Sequence, residues 1–267
     1  MVVLATLAPA RRRLVLGLLA ALVAGVLAGG VAFAVHATSG AGSVEQDRPG
    51  PVLLVPGYGG ATDSLQPLAT TLRATGRDVT VVALPDRATG DLTAQAGVLA
   101  DVAKAARDRT GADSVDVVGY SAGGVVAQLW VREEGGAGEV RRLVTLGSPL
   151  HGTQLAAFGQ LVAGSCPVAC QQLVPQSPLL AQLLATALPD GPAYLSLWST
   201  SDDVVLPPTS AILDRVPSPS LQSICPSAVV RHSALPSSPQ VIAMVRDALA
   251  AGPIPTWTSG DCARLTS

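Results

Sequence analysis

Between residues 51 and 250, short apolar runs alternate with segments of helical period, and this rhythm predicts an α/β fold. The sheet should be mainly parallel, with helices on both faces. Two glycine-rich turns sharpen the expectation. One is "VVGYSAGGVV" (117–126), where a serine sits between an apolar run and a helical segment; the other is "LLVPGYGGATDS" (53–64), directly after the first apolar run.

The elements read in order as follows. "PVLLV" (51–55) is a continuous apolar run and reads as a buried strand. "SLQPLATTLRATG" (64–76) reads as a helix, with Thr62 or Asp63 as cap and Gly76 as stop. "DVTVVAL" (78–84) is a strand. In residues 91–111, Leu92, Ala96, Leu99, Val102, Ala103 and Ala106 recur at helical spacing. "SVDVVGY" (114–120) is a strand and 122–134 a helix; "EVRRLVTLG" (139–147) and "AYLSLWS" (193–199) are strands. "SLQSICPSAVV" (220–230) reads as a further strand, interrupted by Pro226, and "SPQVIAMVRDALA" (238–250) as a closing helix. Residues 150–192 are too long for a plain connection, which predicts a short cap-like insertion beside the site; a crossover helix with decorated ends is the alternative.

The N-terminus reads as a targeting segment. Arg11, Arg12 and Arg13 precede 22 uncharged residues, Leu14 to Val35. That length suits a membrane anchor, whereas Val35 and Ala37 around His36 form the small-x-small pattern of a cleaved signal. Either way the remainder is expected outside the cytoplasm, secreted or anchored facing outwards, because the arginines stay inside. Residues 1–37 are thus signal or anchor, 38–50 a polar linker, and 51–267 the catalytic domain. Of the 17 basic residues three lie in the leader, leaving 14 against 19 acidic ones, a balance that offers nucleic acid no basic surface. Four cysteines in an exported chain predict disulfides. Of the three possible pairings, Cys166–Cys170 closes a short loop and Cys225–Cys262 staples the C-terminal tail, and these two are expected. The C-x3-C spacing has only His151 as a nearby extra ligand, so no metal is expected.

Gly119-Tyr120-Ser121-Ala122-Gly123 fits G-x-S-x-G. The glycines suit a strained strand-to-helix turn that pushes the serine hydroxyl out above the sheet. A serine needs a base to become a nucleophile. Of the three histidines, His36 lies in the export segment and His151 falls between the serine and any plausible acid strand. Only His232 obeys the order serine, acid, histidine. The acid belongs in the loop after strand 193–199, where Asp202 and Asp203 stand; Asp202 is taken, with Asp203 pointing to solvent or capping the turn. The backbone N–H groups of Tyr58 and Ala122 are the expected oxyanion donors.

"VPGYGG", "GYSAGG", "LGSPLHGT" and "STSDDVV" together resemble the small secreted bacterial lipases and esterases, the class 2 lipase group of the α/β-hydrolase superfamily, over roughly residues 51–250. The resemblance implies the α/β-hydrolase fold, with Ser121 as nucleophile, Asp202 as acid, His232 as base, and Tyr58 and Ala122 at the oxyanion. It matches His151 to a histidine outside the triad that lines the cleft. Tyr120 and Pro56 depart from it, since the family often has histidine at both positions.

The expected function is an exported serine hydrolase that cleaves carboxylic esters, lipid esters in particular, through an acyl-enzyme. It is expected to act as a monomer, with no cofactor and no nucleic acid partner, and to meet the membrane through its N-terminal segment where that segment is an anchor. An acyltransferase using the same triad and a non-catalytic binding protein of this fold are the rival readings.

Overall fold

The computed structural model describes residues 44–162 and 166–266. The predicted export segment, and with it the choice between signal and anchor, lies outside the described residues.

Five strands form one parallel sheet: β1 (Val52–Val55), β2 (Val79–Val81), β3 (Val115–Tyr120), β4 (Val140–Leu146) and β5 (Ala193–Leu197), in the order β2-β1-β3-β4-β5. Each central strand is buried on both sides, so it carries apolar residues without polar alternation. Leu53 and Val55 of β1 face one layer, Val52 and Leu54 the other. The first layer is built by α2 (Leu92–Thr110) and α3 (Ala122–Glu133), through Leu99, Ala103, Val125 and Trp130. The second is built by α1 (Gln66–Ala74) and α8 (Pro239–Ala248), through Leu68, Leu72, Val241 and Val245.

The helix boundaries have local causes. The side chain of Asp91 accepts from Ala94 N–H and starts α2, and Gly111, at φ 69°, ends it. The start of α1 differs from expectation: neither Thr62 nor Asp63 caps it with a side chain. A 3₁₀ turn, Asp63–Leu65, leads into it instead, closed by Leu65 N–H on Thr62 O.

The strand expected in 220–230 is not there. Ser220 makes an isolated bridge to Trp198, and its hydroxyl then accepts from Ser223 N–H and starts a short helix, α7 (Leu221–Ile224). An N-cap serine and Pro226 both withdraw backbone groups from a sheet ladder, which explains the failure. The chain therefore reaches His232 without a supporting strand.

The 150–192 region divides into both of the forms considered for it. α6 (Pro178–Ala185) is a crossover helix whose Leu180 and Leu183 join the core layer of α2 and α3. α4 (Gln154–Val162) and α5 (Val168–Gln172) lie before it, and Leu155, Phe158, Leu161 and Val168 there are exposed.

Both expected disulfides are formed, Cys166–Cys170 and Cys225–Cys262, and no cysteine is free among the described residues. The second ties α7 to α9 (Cys262–Thr266), whose Leu265 is buried in the layer of α8. Loop entropy scales with the length closed, so the Cys225–Cys262 bridge is worth about 4 kcal/mol and Cys166–Cys170 about 2. Urea unfolding of the two double-serine variants should show that ranking.

A buried charge cluster at the N-terminal end of the sheet was not anticipated. Asp116 on β3 is fully buried; Arg141 on β4 donates Nε to its Oδ1 (2.9 Å) and Nη2 to its Oδ2 (2.6 Å), and Arg77 also donates to Oδ2. The same two arginines bind Leu249 O beyond α8, and reach Gln46 O and Gly50 O in the segment before β1. The segments just before β1 and just after α8 are thereby tied to the sheet.

Candidate active site

In a sheet of this order the direction of winding reverses between β1 and β3, so the loops at their carboxyl ends part and leave a crevice. Ser121 follows β3 and Tyr58 follows β1, and both border a pocket of about 170 Å³. Thr153, Leu155 and Leu173 from the 150–192 region also line it, as does Val205, so part of that region does lie beside the serine.

Ser121 holds φ 53° and ψ −128°, a strained conformation for a residue with a side chain. Two backbone bonds hold it: Ser121 N–H donates to Leu146 O at the end of β4, and Gly124 N–H donates to Ser121 O. The flanking glycines are required sterically. A Cβ on Gly119 would lie 2.5 Å from Gly124 Cα, and one on Gly123 would lie 2.4 Å from Val55 O. Ala122 opens α3, so its N–H is one of the four that have no acceptor within the helix. Gly57 lies directly against the side chain of Ser121, which brings the Tyr58 turn alongside the hydroxyl.

Ser121, His232 and Asp202 are joined in one chain of hydrogen bonds. His232 Nε2 is 2.9 Å from Ser121 Oγ, and Nδ1 is 2.8 Å from Asp202 Oδ2. The carboxylate only accepts, so Nδ1 carries the proton and Nε2 is left free to accept from the hydroxyl. All three residues are buried. The other oxygen of Asp202 accepts from Val204 N–H (2.9 Å) and Val205 N–H (2.8 Å). These two amides orient the carboxylate toward the imidazole. Such an arrangement can pass the hydroxyl proton to the imidazole while the carboxylate stabilises the resulting cation.

One expectation needs extending and one needs correction. Asp203 is exposed as expected, and in addition its Oδ1 accepts from His232 N–H (3.2 Å) and its Oδ2 pairs with Arg231 (3.3 Å). The His232 amide, together with Arg231, holds the Asp203 carboxyl below the usual carboxylate range. His151 does not border the serine pocket. It lines a separate cavity of about 580 Å³ with Arg132, Asp190 and Tyr194, and its Nδ1 is 3.1 Å from Ser210 O.

Two contributors were missed. Tyr120 donates its hydroxyl to His232 O (3.1 Å), and its ring centroid is 5.1 Å from that of His232. Burial, with Asp202 and Asp203 nearby, raises the Tyr120 pKa, so it stays a donor. Its departure from the family's usual histidine was the available signal. Gly147, at φ 52°, lies beside the His232–Asp202 bond; a Cβ there would be 3.0 Å from Asp202 Oδ2 and 2.5 Å from Leu235 Cδ1.

A family model described as the alpha/beta hydrolase fold matches residues 50–161. No curated protein sequence matches the chain. Among solved structures, lipase B of Aspergillus fumigatus is similar at a TM-score of 0.66 and 21% identity, over 80% of this chain and 56% of that one. The chain thus spans little more than half the length of that lipase. The gene lin2722 product of Listeria innocua is similar at a TM-score of 0.54 and 15% identity, over 73% of this chain and 91% of that one. The sheet order, the serine turn and these likenesses agree: the chain has the α/β-hydrolase fold.

Proposed function

We propose that the chain is an exported serine hydrolase that cleaves carboxylic esters, with lipid esters as its substrates. The observation that carries this reading is the Ser121–His232–Asp202 chain of hydrogen bonds opening on an apolar pocket. Ser121 Oγ attacks the ester carbonyl as His232 Nε2 takes its proton. The N–H groups of Tyr58 and Ala122 hold the oxyanion, and His232 returns the proton to the leaving alcohol. Water, activated by the same imidazole, then releases the acid from the acyl-enzyme.

The surface around the pocket supports a lipid substrate. Tyr58 and Leu155 at its edge are about half exposed, and Phe158 and Leu161 on α4 are more so. Residues 143–189 contain no Asp, Glu, Lys or Arg, so this region offers no charged anchor for a polar ligand. Two disulfides suit an oxidising compartment and hence export.

A fluorophosphonate probe should label the wild-type protein and leave Ser121→Ala unlabelled. His151→Ala should label at the wild-type rate, since it stands at another cavity. A wild-type chain that resists the probe overturns the catalytic reading.

A further inference from the structure

The residue next to each of His232's two ring partners also grips His232, but by its backbone. Ser121 and Asp202 bond the imidazole, while Tyr120 and Asp203 bond the peptide on either side of it. Tyr120 Oη donates to His232 O, and Asp203 Oδ1 accepts from His232 N–H. We propose that Tyr120 and Asp203 form a backbone clamp that sets the position of His232, making both of them positioning residues. This inference rests on the hydrolase reading above.

The need for a clamp follows from the fold. His232 begins a 3₁₀ turn, His232–Ser237, reached through a segment that forms no strand, so no sheet ladder fixes its height above β3. Local bonds such as Ala234 N–H to Arg231 O shape the turn but do not tie it to the sheet. The clamp does. Tyr120 is the last residue of β3, and Asp203 stands in the same turn as Asp202, which the Val204 and Val205 amides hold. A displacement of the β3 end, or of the Asp202–Asp203 turn, is therefore transmitted to the histidine through two bonds each. The tilted contact of the Tyr120 and His232 rings adds a steric guide.

Each clamp bond uses a group suited to it. Tyr120 retains its proton under the influence of burial and two carboxylates, and Asp203 is held ionised as an acceptor. The Arg231–Asp203 pair is solvent-exposed and adds little by itself. The bond to the His232 amide, not the ion pair, is the working contact.

The test uses the full chain with a nitrophenyl ester. Tyr120→Phe and Asp203→Ala should each lower kcat about tenfold, and together about 100-fold, with KM unchanged within twofold. A base displaced by a fraction of an ångström loses proton transfer but not substrate binding. Asp203→Asn keeps an acceptor oxygen and should restore kcat to within about threefold of wild type, and Arg231→Ala should match wild type. The clamp is overturned if the double variant keeps kcat within twofold, or if Asp203→Asn is as damaged as Asp203→Ala. Failure of the hydrolase reading is distinguishable, since the wild type would then neither label nor hydrolyse. The clamp would still be judged by the downfield proton resonance of the His232 Nδ1–H, with Asp202→Ala as the blank. Wild type should show it and the double variant lose it to solvent exchange; its persistence in the double variant overturns the proposal.

Discussion

Ser121→Ala and His232→Ala should each lower kcat on a nitrophenyl ester by about 10⁴-fold or more, with the chain still folded. Ser121 Oγ is bonded to His232 Nε2 at 2.9 Å, and its turn is set by glycine contacts and two backbone bonds that alanine at 121 leaves in place. The double variant should be little worse than either single one, because nucleophile and base act as a unit. Additive losses would show that the pair does not work together. Asp202→Asn keeps the size of the side chain but turns an amide toward Nδ1 or removes the charge that holds it, favouring the wrong tautomer. In a serine protease triad the equivalent loss is about 10⁴-fold in kcat. Steady-state kinetics at neutral pH distinguish this from Asp203, whose bond is to the His232 backbone. A larger loss from Asp203→Asn than from Asp202→Asn would reassign the acid.

Asp116→Ala should destabilise the fold by about 3–5 kcal/mol, read from urea unfolding, with little effect on the geometry of the distant site. Asp116 and Arg141 have no exposed side-chain surface, and Arg77 has little. Removing the carboxylate leaves the fully buried Arg141 guanidinium without its counter-ion and beside a second cation, Arg77. The bonds to Leu249 O, Gln46 O and Gly50 O would then be held by mutually repelling cations. Replacing both partners of the fully buried pair, Asp116→Leu with Arg141→Met, should be less destabilising than Asp116→Ala alone, because no unpaired charge remains at its centre and Arg77 retains some access to solvent. A double variant that is the less stable of the two would mean that the carbonyl bonds, not the charge balance, hold the segments before β1 and after α8.

Much of this architecture was legible because its signals are local. Short, largely apolar segments marked the five strands, and Asp91 and Gly111 bounded α2 within a residue. The glycine spacing around Ser121 is a steric requirement of the turn, and so it is written in the sequence. Where local signals conflicted, the reading failed. Residues 220–230 are apolar enough for a strand, but a capping serine and a proline diverted their backbone bonds. The strand expected in 139–147 is formed, but the burial of Arg141 within it depends on Asp116, 25 residues earlier, which no window around the arginine contains.

The sequence by itself determined the layer order, the serine turn, the candidates for base and acid, and a cysteine pattern whose two favoured pairs are the ones formed. Each of these rests on spacing within one segment, or on the scarcity of a residue type in the whole chain. Only the tertiary structure decided that Asp202 and not Asp203 meets the imidazole, that Tyr120 and Asp203 hold the histidine's backbone, and that His151 belongs to another cavity. The contacts to His232 turn on ångström-scale differences between residues 29 to 112 positions apart. A hydrogen bond is lost over such a distance, and nothing in the spacing of residues along a chain measures it.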